Sequence, residues 1–166
     1  MKKSFLVFGI FMLCFLTWCK NETEKAADYN DAIISFVEDC TDSEEDLFNL
    51  LSENANASTL SASLDIALSA CKKSQNALEQ MDDFNGDSTF KDLIKNLIDT
   101  EISYLKLIEQ SLAFVDLDTL TSAQKEEYSR IYEEMNFIEN QNRDLAEKIT
   151  REQETFANQY GFILQS

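Results

Sequence analysis

The 166-residue sequence contains no histidine and no proline, and it has only three glycines. The absence of histidine excludes imidazole acid–base catalysis, Ser/His and Cys/His nucleophile pairs, and the histidine ligands of most zinc and di-iron sites. The absence of proline and the scarcity of glycine remove the residues that most often interrupt helices, which predicts an all-α fold. We therefore expect a protein that is not an enzyme, and the sequence assigns no catalytic, cofactor-binding or metal-binding residue.

Positive charge is also scarce. The chain has 14 Lys and Arg against 31 Asp and Glu, which gives a formal net charge of −17. Nucleic acid and anionic lipid would be repelled by so acidic a protein, so neither is an expected partner. The same charge keeps the surface of a helical domain well solvated. The length suits a single domain with a substantial core.

The N-terminal segment has the pattern of an export signal. Met1-Lys2-Lys3 is basic, and an almost unbroken apolar run follows from Phe5 to Trp18. That run is too short to span a bilayer core of about 30 Å and has the length of a secretory signal. Leu16-Thr17-Trp18-Cys19, at its end, resembles the lipobox of bacterial lipoproteins.

The resemblance to bacterial lipoproteins implies cleavage after residue 18 and attachment of diacylglycerol to Cys19. Residues 19–25 would then be a lipid-anchored tether, and residues 26–166 the bundle domain. The expected location is the bacterial outer membrane or cell surface, with the periplasmic face as the alternative. Trp18 stands where the family has Gly, Ala or Ser, so an uncleaved signal anchor is the alternative to lipidation.

The stretch from Thr121 to Tyr160 organises the predicted bundle. Two seven-residue series of apolar side chains run along it, which indicates one long helix with an apolar stripe. The series consist of Tyr128, Met135, Ile149 and Phe156, and of Ile131, Ile138 and Leu145. Thr121 and Gln124 form a capping box at its start, and Gly161 suits its end.

Three earlier apolar segments, at about 22–53, 59–81 and 88–115, supply partners for this stripe. The connections between the segments are short, so the prediction is an up-down-up-down four-helix bundle with a long heptad-patterned C-terminal helix. Thr41-Asp42-Ser43-Glu44 also has the form of a capping box. The apolar positions keep their phase across it, so we predict one continuous first helix.

The two cysteines beyond the N-terminal segment predict a disulfide. A hairpin that turns between residues 55 and 56 places Cys40 level with Cys71, and Leu47 level with Leu64. The apolar pattern and the cysteines thus support the same register. An oxidising compartment would allow a Cys40–Cys71 bridge worth about 3–4 kcal/mol. Two buried free thiols are the alternative.

Three functions are compatible with these features. Tyr29-Asn30-Asp31-Ala32-Ile33-Ile34 resembles the opening of a family of helical bacterial surface lipoproteins, which implies an exported helical domain without an assigned activity. The first hypothesis is a lipid-anchored interaction module, bound to the membrane by its N-terminus, with a protein or glycan partner. An exposed apolar or aromatic patch would mark it. The second is a small-ligand carrier or sensor, which a cavity between helices would mark.

The third hypothesis is a carboxylate metal-binding bundle of the ferritin-like type. Glu101, Asn142 and Glu152 fall on the inward series of the third and fourth helices. Ferritin-like sites combine glutamates with Glu-x-x-His motifs, and this chain has no histidine. Polar residues at such positions more often set the register between helices than bind metal.

Overall fold

The computed structural model describes residues 4–53, 55–115, 117 and 119–164, with only the helical backbone described for residues 4–21. It contains four helices, which are α1 (Ser4–Ser52), α2 (Ala57–Gln80), α3 (Thr89–Leu112) and α4 (Ser122–Tyr160). The described residues form no strand beyond an isolated bridge between Phe84 and Asp87. Each helix packs against the next in the chain, and α1 also contacts α3 and α4. The predicted all-α four-helix bundle is confirmed.

Residues 1–3 and the side chains of residues 4–21, including that of Cys19, fall outside the part of the structure that can be described. The signal segment, the lipid attachment and the domain boundaries at residues 18 and 25 therefore stay predictions. Where side chains are described, no helix has an apolar stretch long enough to cross a membrane.

The helix ends follow from local side-chain chemistry. The Asn56 side chain accepts a hydrogen bond from the backbone N–H of Thr59 at 3.0 Å and begins α2. Thr121 and Gln124 form the predicted capping box at the start of α4, and Gly161 ends that helix in the left-handed region with φ 71°. The first helix continues through Thr41–Glu44 without a break, as its apolar phase predicts.

The disulfide lies in the core between α1 and α2. Cys40 and Cys71 are bonded, with their Cα atoms 4.5 Å apart, and both residues are buried. Leu47 and Leu64, which share this register, are also buried. The predicted pairing of the first two helices is therefore confirmed.

The N-terminal pole of the bundle joins α1 to α4 and to the α2–α3 connection. Thr23 donates from Oγ1 to the backbone oxygen of Tyr160 at 2.7 Å, and Gln153 donates to the side chain of Asn30 at 3.0 Å. Asn85, in the connection, donates to the Glu22 carboxylate at 2.8 Å. These bonds place the chain ends of the bundle and the 81–88 connection at one pole, as an up-down-up-down topology requires.

At the opposite, distal pole the first turns of α4 lie open on the side that faces α1. Among the described residues, the hydrogen bonds and ring contacts between α1 and α4 all involve 23–30 of α1 and 153–160 of α4. Tyr128 is 43 % exposed and Tyr132 is 59 % exposed. The expectation that Tyr128 lies on a buried stripe is therefore wrong, because none of the described helices covers that face of α4 at the distal pole.

Candidate functional site

A cleft between α1 and α4, with α3 as its floor, contains two adjoining spaces. The first, which we name the acidic cavity, has a volume of about 280 Å³, and its walls are Glu44, Phe48, Glu101, Tyr104, Glu139 and Asn142. The second, the aromatic groove, has a volume of about 250 Å³ and extends towards the distal pole. Phe48 and Tyr104 belong to both spaces, and their ring centroids are 6.2 Å apart. The two spaces therefore form one cleft whose middle is aromatic.

Glu44 is the deepest polar group of the acidic cavity. It lies on the apolar face of α1, four residues after Cys40 and three before Leu47, so the helix directs it inward with them. Only 6 % of the residue is exposed. Its Oε1 atom is 3.8 Å from Sγ of Cys40 and 3.7 Å from Sγ of Cys71. Disulfide sulfurs carry no hydrogen, so neither sulfur can donate to the carboxylate.

No other group among the described residues donates a hydrogen bond to Glu44. Burial, reinforced by the charge of Glu101, raises the pKa of Glu44 to about 8. A buried carboxyl without a donor or a counter-charge holds its proton because ionisation in the low-dielectric interior is costly. The carboxyl is therefore largely neutral at pH 7.

Glu101 and Glu139 bring further carboxyl groups to the same cavity. Burial raises the pKa of Glu101, on α3, to about 7. Glu139, on α4, is exposed at the rim. Burial also raises the pKa of Tyr104, and the charges of Glu139, Glu101 and Glu44 add to that rise. All three carboxyl groups thus interact electrostatically with the phenol of Tyr104.

The acidic cavity has no basic side chain in its wall. The ion pairs of the described residues lie elsewhere, on the outer surface and between Lys91 of α3 and Asp83 of the 81–88 connection. The Asn142 side-chain oxygen accepts a hydrogen bond from the hydroxyl of Thr100, which orients the amide at the edge of the cavity. The negative potential of the carboxyl groups is therefore not neutralised from within the described part of the chain.

The arrangement of these groups bears on metal binding. In the described part of the chain, one trio of potential ligands has donor atoms all within 4.8 Å of one another, and it consists of Cys40, Glu44 and Cys71. Its sulfurs are joined in the disulfide and are not thiolates, the form in which cysteine binds metal. The oxygens of Glu44, Glu101 and Glu139 do not converge to that distance, so these three carboxylates do not form a compact cage for one ion.

The aromatic groove presents apolar surface to solvent. It runs between the end of α1 and the start of α4, and its exposed rings are those of Phe48, Tyr128 and Tyr132. Leu51 and Ile108 line it as well. The ring of Tyr128 also packs edge-on against Phe114, with centroids 5.6 Å apart. This exposed aromatic surface is the feature that we expect of an interaction module.

The structure places only some of the polar residues predicted from the sequence in the wall of the acidic cavity. Glu101 and Asn142 meet in the acidic cavity, whereas Glu152 does not line it. Glu44 and Glu139 are site residues that sequence reasoning missed. For Glu44 a signal existed, because a glutamate between Cys40 and Leu47 interrupts an otherwise apolar helix face.

No protein-family profile, curated protein or solved structure matches the chain.

Proposed function

We propose that this protein is a non-catalytic, lipid-anchored interaction module of the bacterial cell envelope. Cys19 would carry the lipid, and the aromatic groove would receive a partner protein. The observation that carries the proposal is the exposed aromatic surface between α1 and α4, where Tyr132 is 59 % exposed. Aromatic side chains at the edge of an open groove are typical anchors of protein interfaces.

The position of the aromatic groove suits a partner that approaches from outside the membrane. Glu22, at the N-terminal pole, and Phe48, in the groove, are joined by continuous helix, which extends roughly 40 Å at 1.5 Å per residue. An anchor near the N-terminus would thus hold the groove well clear of the lipid surface. Only the lipid on Cys19, and not the helical bundle, would contact the membrane.

Charge indicates the chemistry of the partner. The chain has a net charge of −17, and the aromatic groove adjoins a cavity with three carboxyl groups. A second copy of the chain would be repelled, whereas a segment that combines apolar and basic side chains would be attracted and steered into the cleft. The proposed occupant is therefore a basic, amphipathic segment of another protein.

Site-specific photo-crosslinking tests this proposal in the intact cell. A photoreactive phenylalanine at Tyr132 places the reactive group at the groove. The same residue at Ile66, which is 65 % exposed on α2, places it on a helix that does not contact α4 in the described structure. We expect a defined adduct with another protein from position 132 and none from position 66.

Three results would contradict the proposal. An adduct of twice the chain mass would show self-association instead of a separate partner. Identical adducts from positions 132 and 66, or an adduct that persists when Phe48→Lys removes the ring and adds a charge that repels a basic partner, would show that the groove is not the interface. Export and folding of each variant are checked by fractionation and by its resistance to limited proteolysis.

A further inference from the structure

The acidic cavity has properties that the aromatic groove lacks, and these properties indicate that the cavity has a ligand distinct from the partner of the groove. Glu44 is buried to more than nine-tenths and faces a cavity of about 280 Å³. Among the described residues, the groups within hydrogen-bonding distance of its carboxyl are two disulfide sulfurs, which cannot donate a hydrogen bond. Buried polar side chains normally have a partner, and a carboxyl without one calls for a donor from outside the chain.

The size of the cavity limits the ligand. A volume of about 280 Å³ is the space of about nine waters at roughly 30 Å³ each. A single metal ion would leave most of it unfilled, and the carboxylates do not converge on one point. Drug-sized ligands need pockets from about 300 Å³ upwards. The cavity therefore suits a small organic molecule with more than one point of contact.

The lining determines the charge of that molecule. Three carboxyl groups and no basic side chain favour a cation with N–H donors. The rings of Phe48 and Tyr104 stand at the junction with the aromatic groove, where they can pack against methylene groups or lie over a positive charge. Glu44 is deep, Glu101 is half-buried and Glu139 is exposed at the rim. Carboxyl groups thus extend from the interior to the entrance.

We propose that the acidic cavity binds an ammonium group carried on a short alkyl chain, with Glu44 and Glu101 receiving the ammonium inside and Glu139 receiving a second positive group at the rim. A linear alkyl diamine supplies both positive groups, and the lysine side chain of a bound protein supplies the inner one alone. Binding of a free diamine does not depend on the protein-binding function proposed for the aromatic groove, whereas binding of a partner's lysine rests on it.

Binding of a cation would be coupled to release of protons. The titratable groups that face Glu44 are Glu101 and Tyr104 from α3 and Glu139 from α4, and the α2 side contributes Cys71, which is held in the disulfide. Burial keeps the pKa values of Glu44 and Glu101 well above those of exposed glutamates. An ammonium ion favours the ionised carboxylates, so affinity rises with pH between about 6 and 9.

Isothermal titration of the full-length protein in mild detergent with 1,4-diaminobutane tests the proposal. We expect saturable binding at pH 8.5, weaker binding at pH 6, and no binding of the neutral analogue 1,4-butanediol. Titrations at pH 7.5 in two buffers of different ionisation enthalpy should show net release of protons. Binding of both compounds alike, or of neither, would overturn the proposal, as would tighter binding of Ca²⁺ or Mg²⁺ that displaces the diamine.

Variants locate the binding. Glu44→Gln and Glu101→Gln keep the shape of the side chain and remove its charge, and each should weaken binding by about tenfold or more. Glu45→Gln, on an exposed position of the same helix, is the matched control and should bind like the parent protein. Equal losses in Glu44→Gln and Glu45→Gln would overturn the assignment of the site. Circular dichroism establishes that each variant is folded.

A second titration identifies the source of the ammonium group. Nα-acetyl-lysine methylamide presents the same group as a lysine of a partner protein would. Tighter binding of the diamine supports a free diamine as the ligand, and tighter binding of the lysine derivative supports a partner's side chain. Loss of photo-crosslinking at Tyr132 with diamine binding intact, or the converse, separates the aromatic groove from the acidic cavity.

Discussion

Replacing Glu44 by Gln should stabilise the protein, and by an amount that depends on pH. The carboxyl is buried without a donor, and its pKa is raised from the usual 4.5 to about 8 in the folded chain. The folded state therefore binds more protons than the unfolded state between these two values. The contribution of Glu44 to stability is then greatest below about pH 4.5 and falls as the pH rises, until it is lost above about pH 8.

The magnitude follows from the size of the shift. Between the two pKa values of Glu44, each pH unit lowers the free energy of unfolding by about 1.4 kcal/mol. Keeping the Glu44 carboxyl protonated in the folded state therefore costs about 3 kcal/mol at pH 7 and less than about 1 kcal/mol at pH 5. Glutamine mimics the neutral acid in shape and never ionises. Glu44→Gln should therefore raise the free energy of unfolding by about 3 kcal/mol at pH 7, and by much less at pH 5.

Chemical unfolding of the full-length chain in mild detergent, followed by circular dichroism at pH 5, 6, 7 and 8, measures this effect. Glu45→Gln on the exposed face of α1 is the control, and it should leave both the stability and its pH dependence unchanged. A Glu44→Gln protein that is less stable than the parent at pH 7 would refute the reasoning. So would a gain in stability that is the same at pH 5 and pH 7.

Three further predictions concern the disulfide, the groove and the N-terminal pole. Cys71→Ala should lower the free energy of unfolding by about 3–4 kcal/mol, because the bridge closes a long loop; urea unfolding measures the loss, and reductant should destabilise the parent but not the variant. Tyr132→Lys should change stability by less than about 0.5 kcal/mol, because the side chain is exposed, yet it should abolish photo-crosslinking from a reactive group at Tyr128, because it removes an aromatic anchor and repels a basic partner. Phe156→Ala should cost about 3–5 kcal/mol in thermal unfolding, because the ring is buried among the aromatic side chains of the N-terminal pole; an effect as small as that of exposed Phe137→Ala would contradict this packing.

The architecture could be predicted because its signals are local or periodic. The cap at Thr121 and the left-handed Gly161 depend on a few neighbouring residues, and the structure has both. The register of Cys40 with Cys71 follows from a short turn and a constant rise per residue. Tyr128 shows what the pattern cannot predict. A heptad position indicates on which face of the helix a residue lies, but not whether another helix packs against that face at the distal pole.

The site could be predicted only in part. Glu101 and Asn142 were found because they interrupt inward series, and both line the acidic cavity. Thr41–Glu44 has the pattern of a capping box, and this local motif looks the same in sequence whether Glu44 caps a helix or lies in its buried interior. Glu139 and the cavity itself depend on how far the distal part of α4 lies from α1. That separation is a tertiary property without a local signal.

The central claim, that this acidic bundle is exported and held at the membrane by a lipid, is tested most directly by intact mass. The protein is extracted from membranes and measured with and without reductant. We predict a chain that begins at Cys19, is heavier by a diacylglycerol and an acyl group, and gains two protons on reduction of the Cys40–Cys71 bridge. A full-length chain without lipid would contradict the account, and it would indicate that Trp18 prevents processing.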